Sequence, residues 1–400
     1  MYKVQKIKNN FGEDTMQIEK VKKLIEEAGH STKLEICTMP CFRAHLKEIL
    51  PEGKVLILLE ESVPLELFKA VQEQVNCYRQ YVLFLEEKEN ATALFSLPDD
   101  IRMVIALGKR AVKIGRIFAT LRRCYSVVIA IDFDSSEFFC TKIESNSFLV
   151  DSGFNSNESS EYPVQPLTLI LVDTALLQDK REGLLKLANC TLTAIDIELD
   201  ALFRGEKNIK NYYLPKIDSE NILELYFATI LEGLTITQFS NFAYLNTQKL
   251  LDNDDLDKKF AFCCYFIERY QLFFQKNLRK YYVPNYMLRF QYALQYFGKS
   301  ITLENIEVFT AEKSKKIYDI FEQSRFMFIP YIKLLEVYSE KLQFLYNKLS
   351  ARKVQITQTD KEYFAKLYNI SAESTNLYLP PLLEREFGLL EIQYSQEVKK

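Results

Sequence analysis

The segment VIALGKRAVKIGRIFAT, residues 104–120, decides how the chain folds. An apolar run leads into Gly108, and apolar residues then recur at helical spacing behind it. A strand, a glycine turn and a helix in this order form the layout of a phosphate-binding loop, in which backbone N–H groups at a helix N-terminus hold an anion. Two positions where further glycines are expected hold Lys109 and Arg110, which restrict the loop's backbone.

Neighbouring apolar runs predict more strands of the same kind. Near-continuous apolar runs that alternate with amphipathic segments are typical of a parallel sheet covered by helices on both faces. The runs are KLEIC (33–37), KVLILLEE (54–61), QYVLFLEE (80–87), IRMVIALG (101–108), YSVVIAIDF (125–133) and PLTLILVD (166–173).

The pattern changes after residue 173, where long segments carry helical spacing with few turn residues. We therefore predict a doubly wound, mostly parallel α/β domain followed by an all-helical domain. A short antiparallel ribbon is expected within residues 135–153, followed by a polar loop over residues 153–163. The predicted divisions are an N-terminal extension (1–32), a nucleotide-binding-like α/β domain (33–175), an all-helical domain (176–350) and a C-terminal extension of unassigned role (351–400).

Composition narrows the classes of function. With 51 Lys and Arg against 54 Asp and Glu, the formal net charge is -3, which gives no field to gather nucleic acid. No signal-peptide pattern and no apolar run of membrane-spanning length is visible, so we expect no membrane partner and a cytoplasmic protein. The eight cysteines are scattered and mostly lie in apolar segments, as buried thiols do. Cys37 and Cys41 in CTMPC have a metal-like spacing, but no second pair completes a zinc site.

Two stretches carry a resemblance to a known family. DDIRMVIALGKRAVKIGRIFA (99–119) and PLTLILVDTALLQDKREGLLKLA (166–188) are similar to the glycine-loop and sheet-ending strands of the dehydroquinate synthase-like superfamily. That superfamily includes glycerol dehydrogenases and iron-containing alcohol dehydrogenases, and the chain most resembles its glycerol-1-phosphate dehydrogenase branch. The resemblance covers residues 33–290 and implies NAD or NADP as the cofactor.

The family's phosphate loop follows the pattern Gly-x-Gly-Gly-Gly. Its glycine positions fall on Ala106, Gly108, Lys109 and Arg110, so that only Gly108 matches. Lys109 and Arg110 begin a basic cluster that continues with Lys113 and Arg116. This cluster either holds a phosphate by charge or forms an ordinary solvated helix face, and the sequence leaves both interpretations open.

The family's metal ion is held by one aspartate and two histidines of the helical half. The aspartate position falls near Leu192, with Asp196 and Asp200 one and two turns further on. The first histidine should lie in EGLTITQFSNFAYLNTQ (232–248), which has none, and at the second position stands Lys258 or Lys259. Metal binding is therefore not expected, since a divalent ion needs donors such as His or Asp.

The chain's histidines do not fill these places. His30 and His45 both belong to the N-terminal segments, where packing or surface roles are the usual ones. A lysine at position 258 or 259 has acidic neighbours in DNDDLDKK, which favours a solvated helix start over a catalytic role. We therefore name no catalytic residue and no metal ligand.

Ligands of parallel sheets bind beyond the carboxyl ends of the strands, in this chain facing the second domain. The loops expected there follow Glu60, Glu87, Gly108, Ile131 and Asp173.

In the loop after Ile131, the side chains of Asp132, Asp134, Ser135 and Ser136 either position a polyol or cap a turn, of which the turn is favoured. Asp173 is predicted to cap the helix that begins with TALLQ. The predicted cofactor-binding residues are Gly108, Lys109, Arg110, Asp132 and Ser135.

Three functional hypotheses follow. The favoured one is a pseudoenzyme, a catalytically degenerate relative of the metal- and NAD(P)-dependent enzymes, kept as a binding or partner protein. The second is an active, metal-independent oxidoreductase or phosphate-ligand enzyme that uses the same interdomain cleft, with a nucleotide or small phosphorylated molecule as ligand. The third is a structural interaction protein, homodimeric or with another protein, that uses the aromatic helical stretch around Tyr281 and Tyr282; a packed aromatic core explains that stretch equally simply.

Overall fold

The computed structural model describes most of the chain, in thirteen ranges separated by gaps. They are residues 10–85, 94, 96–145, 160–177, 179–205, 222–238, 243–248, 251, 255–275, 310–324, 329–349, 357–372 and 377–387. The chain divides into two compact units. We call them the sheet unit (Met1–Gly183 with Glu220–Gln238) and the helical unit (Leu184–Ser219 with Phe239–Lys400).

A six-stranded sheet forms the centre of the sheet unit. Its order is β1-β8-β5-β4-β2-β3, and every neighbouring pair is parallel. The strands are β1 (Lys33–Ile36), β2 (Lys54–Glu60), β3 (Arg79–Leu85), β4 (Ile101–Leu107), β5 (Tyr125–Ala130) and β8 (Leu169–Val172). The predicted parallel α/β sheet is confirmed, because each of these strands lies within one of the apolar runs or one residue from it.

Helices cover both faces of this sheet, as a doubly wound fold requires. The helices of the sheet unit are α1 (Asn10–Glu27), α2 (Phe42–Ile49), α3 (Leu65–Gln74), α4 (Lys109–Arg122) and α6 (Ile222–Gln238). Phe42 of α2 and Phe68 of α3 pack in one core with the odd-numbered residues of β2 and β4. On the other face, Gly115 of α4 lies against Leu58, Val104 and Ala106, and alternate residues of each strand therefore serve opposite faces.

The antiparallel ribbon is present, but its second strand differs from the prediction. Strand β6 (Lys142–Ser145) pairs with β7 (Ser160–Pro163), which lies inside the stretch predicted as a polar loop. Ser145 pairs with Ser160 and Lys142 with Pro163, so hydrophilic residues form much of this ladder. Backbone pairing, which leaves no apolar pattern in the sequence, therefore defines this strand.

The helical unit is built from helices around an aromatic core, as predicted. They are α5 (Lys180–Arg204), whose first turn belongs to the sheet unit, α7 (Ala243–Gln248), α8 (Leu256–Gln275), α9 (Ala311–Ser324), α10 (Ile329–Leu349), α11 (Gln358–Ser371) and α12 (Pro380–Glu386). Phe266 of α8 contacts Tyr244 of α7 and Tyr368 of α11, with ring centroids 5.1 and 4.9 Å apart. The described aromatic residues of α8 thus mostly serve the core, while Tyr281 and Tyr282 lie outside the described residues.

Within the ranges that the structure describes, no helix is both long enough and apolar enough to cross a lipid bilayer.

Candidate functional site

The candidate site lies at the carboxyl ends of β2 and β4, two neighbouring strands whose following connections run to opposite sides of the sheet. Strands β2 and β4 are adjacent, but β2 leads to β3 at the sheet edge, whereas β4 leads to β5 on the other side. The crevice at such a switch point is where ligands of open parallel sheets bind. The loops that follow Glu60 and Leu107 meet here.

Gly108 joins β4 to α4 with a backbone that suits glycine. Its φ of 94° lies in the left-handed region, and it precedes the first residue of the helix. A Cβ atom at this position would lie 2.7 Å from Cδ of Glu60. Gly108 therefore gives the turn its shape and gives the Glu60 side chain its space.

The Glu60 carboxylate occupies the first turn of α4. Its Oε1 accepts a short hydrogen bond from the backbone N–H of Arg110 and a second, 3.4 Å long, from Ala111. N–H groups in the first turn of a helix have no acceptor within the helix, and they are the donors that a helix N-terminus offers to an anion. Of the predicted cofactor-binding residues, Gly108 provides the turn and Arg110 provides a backbone N–H group. The anion that they hold is the Glu60 carboxylate of the same chain.

Lys109 and the acidic loop after β5 form a second group of contacts. The Lys109 ammonium lies 2.8 Å from Oδ2 of Asp134. Asp134 accepts the N–H of Ser136 at 2.9 Å, and Asp132 accepts the N–H of Asp134 at 3.1 Å. Both carboxylates thus cap a turn, as the favoured interpretation of this loop predicts.

Ser135 is buried and ties this loop to α6. Its hydroxyl donates to the backbone carbonyl of Thr229, and its own backbone approaches Gly233. Ser135 is 0% exposed, which places its hydroxyl within the packing of the sheet unit. Its contacts are therefore those of a structural residue.

Tyr226 lies beside this loop and was not predicted. Its ring centroid is 6.4 Å from that of Phe133, and its buried hydroxyl has no hydrogen-bond partner among the described residues. Burial raises the pKa of Tyr226 well above its usual value, and the charge of Asp132 adds to the rise. The sequence gives no signal for this contact, because α6 follows β5 by some ninety residues.

Arg116 does not belong to a basic surface. Its side chain is 1% exposed, and its guanidinium donates to the carbonyl oxygens of Glu137, Cys140 and Gln165 and to the Sγ atom of Cys140. Arg116 is therefore neither available to a phosphate nor part of a solvated helix face, the two alternatives that the sequence leaves open. Arg116 joins α4 to the segments that precede and follow the ribbon, so it does not share a surface with the other residues of the predicted basic cluster.

Asp173 caps a turn and not the predicted helix. Its two oxygens accept from the N–H of Met39 at 2.7 Å and from the N–H of Ala175 at 3.0 Å. Helix α5 begins six residues after the expected start, at Lys180, where Asp179 accepts the N–H of Arg181 at 3.0 Å. Asp173 therefore fastens the loop after β1 to the end of β8.

The positions of the family's metal ligands do not fit a divalent ion. Leu192 is apolar and fully buried, and Lys258 carries a cation that lies 3.9 Å from Asp360. Asp196, one turn after Leu192, is fully buried and accepts from the Tyr270 hydroxyl at 2.6 Å. Among the described residues, no group of three or more His, Cys, Asp or Glu side chains is placed to hold a metal.

The two histidines have contacts of other kinds. His30 packs edge-on against Phe139, with ring centroids 5.1 Å apart, and burial followed by the charge of Arg116 lowers the pKa of His30. His45 Nδ1 lies 3.9 Å from Glu48 on the same helix. Each histidine is thus engaged within the sheet unit.

Glu60 is the residue of this site whose role sequence reasoning missed. Glu60 ends β2 directly after the five buried apolar residues Val55–Leu59, at the edge where the glycine loop also lies, and this acid at the end of an apolar run is the signal that could have found it. A loop after Glu60 is predicted from the sequence, without a contact for the Glu60 side chain.

Comparison with known proteins gives similarity of structure only. No family model matches the chain, and no curated protein matches it. One similar solved structure is a sulfoacetaldehyde reductase from Bifidobacterium kashiwanohense in complex with NAD+, at 10% identity and a TM-score of 0.46, covering 91% of this chain and 98% of that one. A probable glycerol dehydrogenase from Sinorhizobium meliloti 1021 has 8% identity and a TM-score of 0.45, covering 90% and 95%.

A glycerol dehydrogenase from Schizosaccharomyces pombe has 14% identity and a TM-score of 0.41, covering 82% of this chain and 96% of that one. Structure neighbours of the chain are thus members of the iron-containing alcohol and glycerol dehydrogenase superfamily that its sequence resembles. With TM-scores below 0.5, these similarities carry no residue role over to this chain.

Proposed function

We propose that this chain is a catalytically silent relative of the glycerol-1-phosphate dehydrogenases and dehydroquinate synthase-like enzymes, kept as a binding or partner protein. The observation that carries the proposal is the Glu60 carboxylate on the N–H groups of Arg110 and Ala111. A protein that binds NAD or NADP through this loop needs those same N–H groups for the pyrophosphate.

The charge of Glu60 acts against a dinucleotide in two ways. The carboxylate already satisfies the helix N-terminus and gains from the helix dipole, which is worth about 0.3–1 kcal/mol. A phosphate brought beside it is also repelled, by about 4 kcal/mol for two unit charges 4 Å apart at an effective dielectric constant of about 20. Because Glu60 is only half-buried, solvent screens part of this repulsion, and we expect the carboxylate to weaken pyrophosphate binding by at least about tenfold.

The helical unit supports the same proposal. In the family that the sequence resembles, a metal ion polarises the substrate oxygen, which contributes several kcal/mol to catalysis. Leu192 has no donor atom and Lys258 is a cation, so neither serves such an ion. The proposal therefore rests on a filled anion loop together with unsuitable residues at the metal positions.

Titration and turnover measurements test the proposal directly. The full-length protein is titrated with NADH and NADPH by nucleotide fluorescence, and turnover of dihydroxyacetone phosphate is followed with zinc, nickel or iron added. We expect no saturable binding and no turnover above the background. Turnover at ordinary enzyme rates, about 1 per second or more, would overturn the proposal in favour of an active oxidoreductase.

A pair of variants tests the part played by Glu60. Glu60→Ala frees the two N–H groups, whereas Glu61→Ala removes an equal charge from the exposed neighbouring residue. We expect Glu60→Ala to bind inorganic pyrophosphate at least about tenfold more tightly than Glu61→Ala in calorimetry, because the internal charge is gone. Equal affinities in the two variants would show that Glu60 does not exclude anions.

A further inference from the structure

The amino ends of four neighbouring strands carry charges that the proposed function does not use. Strands β5, β4, β2 and β3 follow one another in the sheet. Lys54 of β2 pairs in register with Arg79 of β3 and with Ile101 of β4, and Met103 of β4 pairs with Tyr125 of β5. The starts of all four strands therefore form one edge of the sheet, opposite the carboxyl edge that holds the candidate site.

Basic residues outnumber acidic ones along this amino edge. The described segments that form it are residues 50–54, 75–79, 97–103 and 121–126. Their basic residues are Lys54, Arg79, Arg102, Arg122 and Arg123, and their acidic residues are Glu52, Asp99 and Asp100. Because the whole chain has a formal net charge of -3, this excess of positive charge is local.

Two of these acids already have partners within the edge. Asp100 forms an ion pair with Lys54, and Asp99 forms one with Arg122. Arg122 also donates to the backbone carbonyl of Leu97 at 3.4 Å. The last turn of α4 is thus joined to the segment that leads into β4, and the charges of both aspartates are balanced.

Three guanidinium groups of the edge remain for a partner. Arg79, Arg102 and Arg123 are exposed, and none of them forms an ion pair with a residue in the described ranges. The Arg79 guanidinium lies 6.0 Å from the ring centroid of Tyr81, a contact that leaves its charge in place. Glu52, the acid of the edge outside the two ion pairs, balances one of the three charges at most. Charge complementarity therefore favours an anionic partner.

The backbone of Arg123 is a second observation at the same place. Its φ of 53° and ψ of 46° lie in the left-handed region, and no other non-glycine residue of the described ranges has a positive φ. Glycine is the usual residue in this conformation at the end of a helix, because it has no Cβ atom. An exposed arginine in a conformation that favours glycine indicates that its side chain has a use beyond the fold.

Two exposed apolar side chains flank Arg123 in the chain. Leu121, in the last turn of α4, is 61% exposed, and Tyr125, the first residue of β5, is 44% exposed. Tyrosine and arginine are enriched among the interface residues that carry most of the binding energy. The combination suits a partner that brings both negative charges and apolar side chains.

We infer that this amino-edge surface (Arg79, Arg102, Leu121, Arg123 and Tyr125) docks an acidic segment of another protein, whose apolar side chains contact Leu121 and Tyr125. Neighbouring strands lie about 4.8 Å apart, so the edge from β5 to β3 is about 14 Å long. About four extended residues span that distance. The inference rests on the proposed function only in taking the chain to be a binding protein, and its test uses no nucleotide.

Fluorescence anisotropy of the full-length protein with a short fluorescein-labelled peptide tests this inference. In the peptide, Glu and Asp alternate with Leu, and a control peptide has Gln and Asn in place of the acids. We expect saturable binding that weakens as salt is added, and at least about tenfold weaker binding of the control peptide. Equal affinity for both peptides, or no binding of the acidic one, overturns the inference. Binding to phosphatidylserine vesicles in place of the peptide overturns it in favour of a membrane surface.

Matched variants locate the binding surface. Arg102→Glu and Lys316→Glu change the net charge equally, but Lys316 is exposed on α9 of the helical unit. We expect Arg102→Glu to weaken peptide binding about tenfold, because repulsion replaces attraction, and Lys316→Glu to weaken it less than about twofold. Leu121→Ser should likewise weaken binding more than Leu349→Ser, which removes an exposed leucine of α10. Equal losses within either pair contradict the assigned surface.

Arg123→Gly separates binding from structure. Glycine adopts the left-handed conformation without strain, so we expect this variant to be at least as stable as the wild type in urea denaturation. Peptide binding should nevertheless fall by about fivefold, since one of the three arginines is lost. A folded Arg123→Gly protein that binds the peptide as tightly as the wild type overturns the inference. Turnover of a nucleotide cofactor would overturn the proposed function and leave these peptide affinities unchanged.

Discussion

Arg116 carries a guanidinium group into the interior of the sheet unit, where its side chain is almost completely buried. It lies in the helix of the glycine loop together with four other basic residues, and its guanidinium is held by three carbonyl oxygens and a sulfur atom. Burial lowers the pKa of Arg116, while Cys140 and Glu137 offset part of the effect. Its guanidinium donates to carbonyl groups on both sides of Cys140 in the chain, so that the side chain organises the segment around Cys140.

Replacing Arg116 by methionine tests this structural role. Met keeps most of the apolar stem but removes the guanidinium that donates to the carbonyls of Cys140 and Gln165. Because each buried unsatisfied group costs about 1–3 kcal/mol, we expect Arg116→Met to lower the free energy of unfolding by about 2–4 kcal/mol in urea denaturation. Lys113→Met, the control on the same helix, should change it by less than about 0.5 kcal/mol. Similar losses in both variants would contradict the assignment.

The position of Arg116 could have been predicted, but its partners could not. Residues 112, 116 and 119 share one face of α4, and Val112 and Ala119 are buried, so the helical period itself indicates burial. The acceptors lie at residues 137, 140 and 165, in a segment without a strong pattern. Burial follows from local spacing, whereas partners depend on tertiary structure.

Helices α6 and α4 each pack through a glycine, Gly233 and Gly115, but at different distances from their neighbours. In α6, a Cβ atom on Gly233 would lie 2.6 Å from Oγ and 2.8 Å from the backbone oxygen of Ser135. In α4, a Cβ atom on Gly115 would lie no closer than 3.4 Å to its nearest neighbour, Ala106. There is therefore no space for a methyl group between Gly233 and Ser135, whereas there is enough space for one between Gly115 and Ala106.

The pair Gly233→Ala and Gly115→Ala measures this difference. Because the Ser135 backbone cannot move aside cheaply, we expect Gly233→Ala to lower the free energy of unfolding by about 1–3 kcal/mol. Gly115→Ala should leave it unchanged or raise it by up to about 1 kcal/mol, through better helix propensity. Thermal and urea unfolding of the two variants give the comparison, and a stable Gly233→Ala protein would show that the α6 contact is looser than described.

Elements were predictable where the apolar pattern was strong. The central strands follow from runs such as KVLILLEE, since strands buried on both faces leave few polar residues. The start of α5 was misplaced because Asp173 and Asp179 are equally good caps, and only the contact of Asp173 with Met39 assigns it to a turn. Strand β7 was missed because its residues are mostly hydrophilic.

For the molecule as a whole, a buried carboxyl couples stability to pH. Asp196 of α5 is fully buried, and its Oδ2 has no hydrogen-bond partner among the described residues. Burial raises the pKa of Asp196 well above its usual value; the hydrogen bond from Tyr270 lowers it in part, and Asp200 raises it further. In the folded protein the Asp196 carboxyl therefore keeps its proton at pH values where the unfolded chain has released it, since the pKa of an exposed Asp is about 3.9.

The sign of the pH effect follows from this difference. Asp196 contributes fully to stability below the unfolded pKa, and the contribution falls as pH rises toward the folded pKa, by up to about 1.4 kcal/mol per pH unit. We expect the stability of the wild type relative to Asp196→Asn to decline as the pH rises above the unfolded pKa of about 4, measured by urea denaturation at a series of pH values. Tyr270→Phe keeps the carboxyl and should keep the decline. A relative stability that stays constant would mean that Asp196 is ionised in the folded state.

The Glu60 contact has a consequence for how ligands compete. An anion that approaches α4 meets a competitor on the same chain, which dilution and dialysis cannot remove. If the closed arrangement is favoured about a hundredfold over the open one, every anion that needs these N–H groups binds about a hundredfold more weakly. Anion binding at this loop then depends on the equilibrium between the Glu60-bound and the open N-terminus of α4. A single substitution at Glu60 shifts that equilibrium and leaves the strand, turn and helix in place.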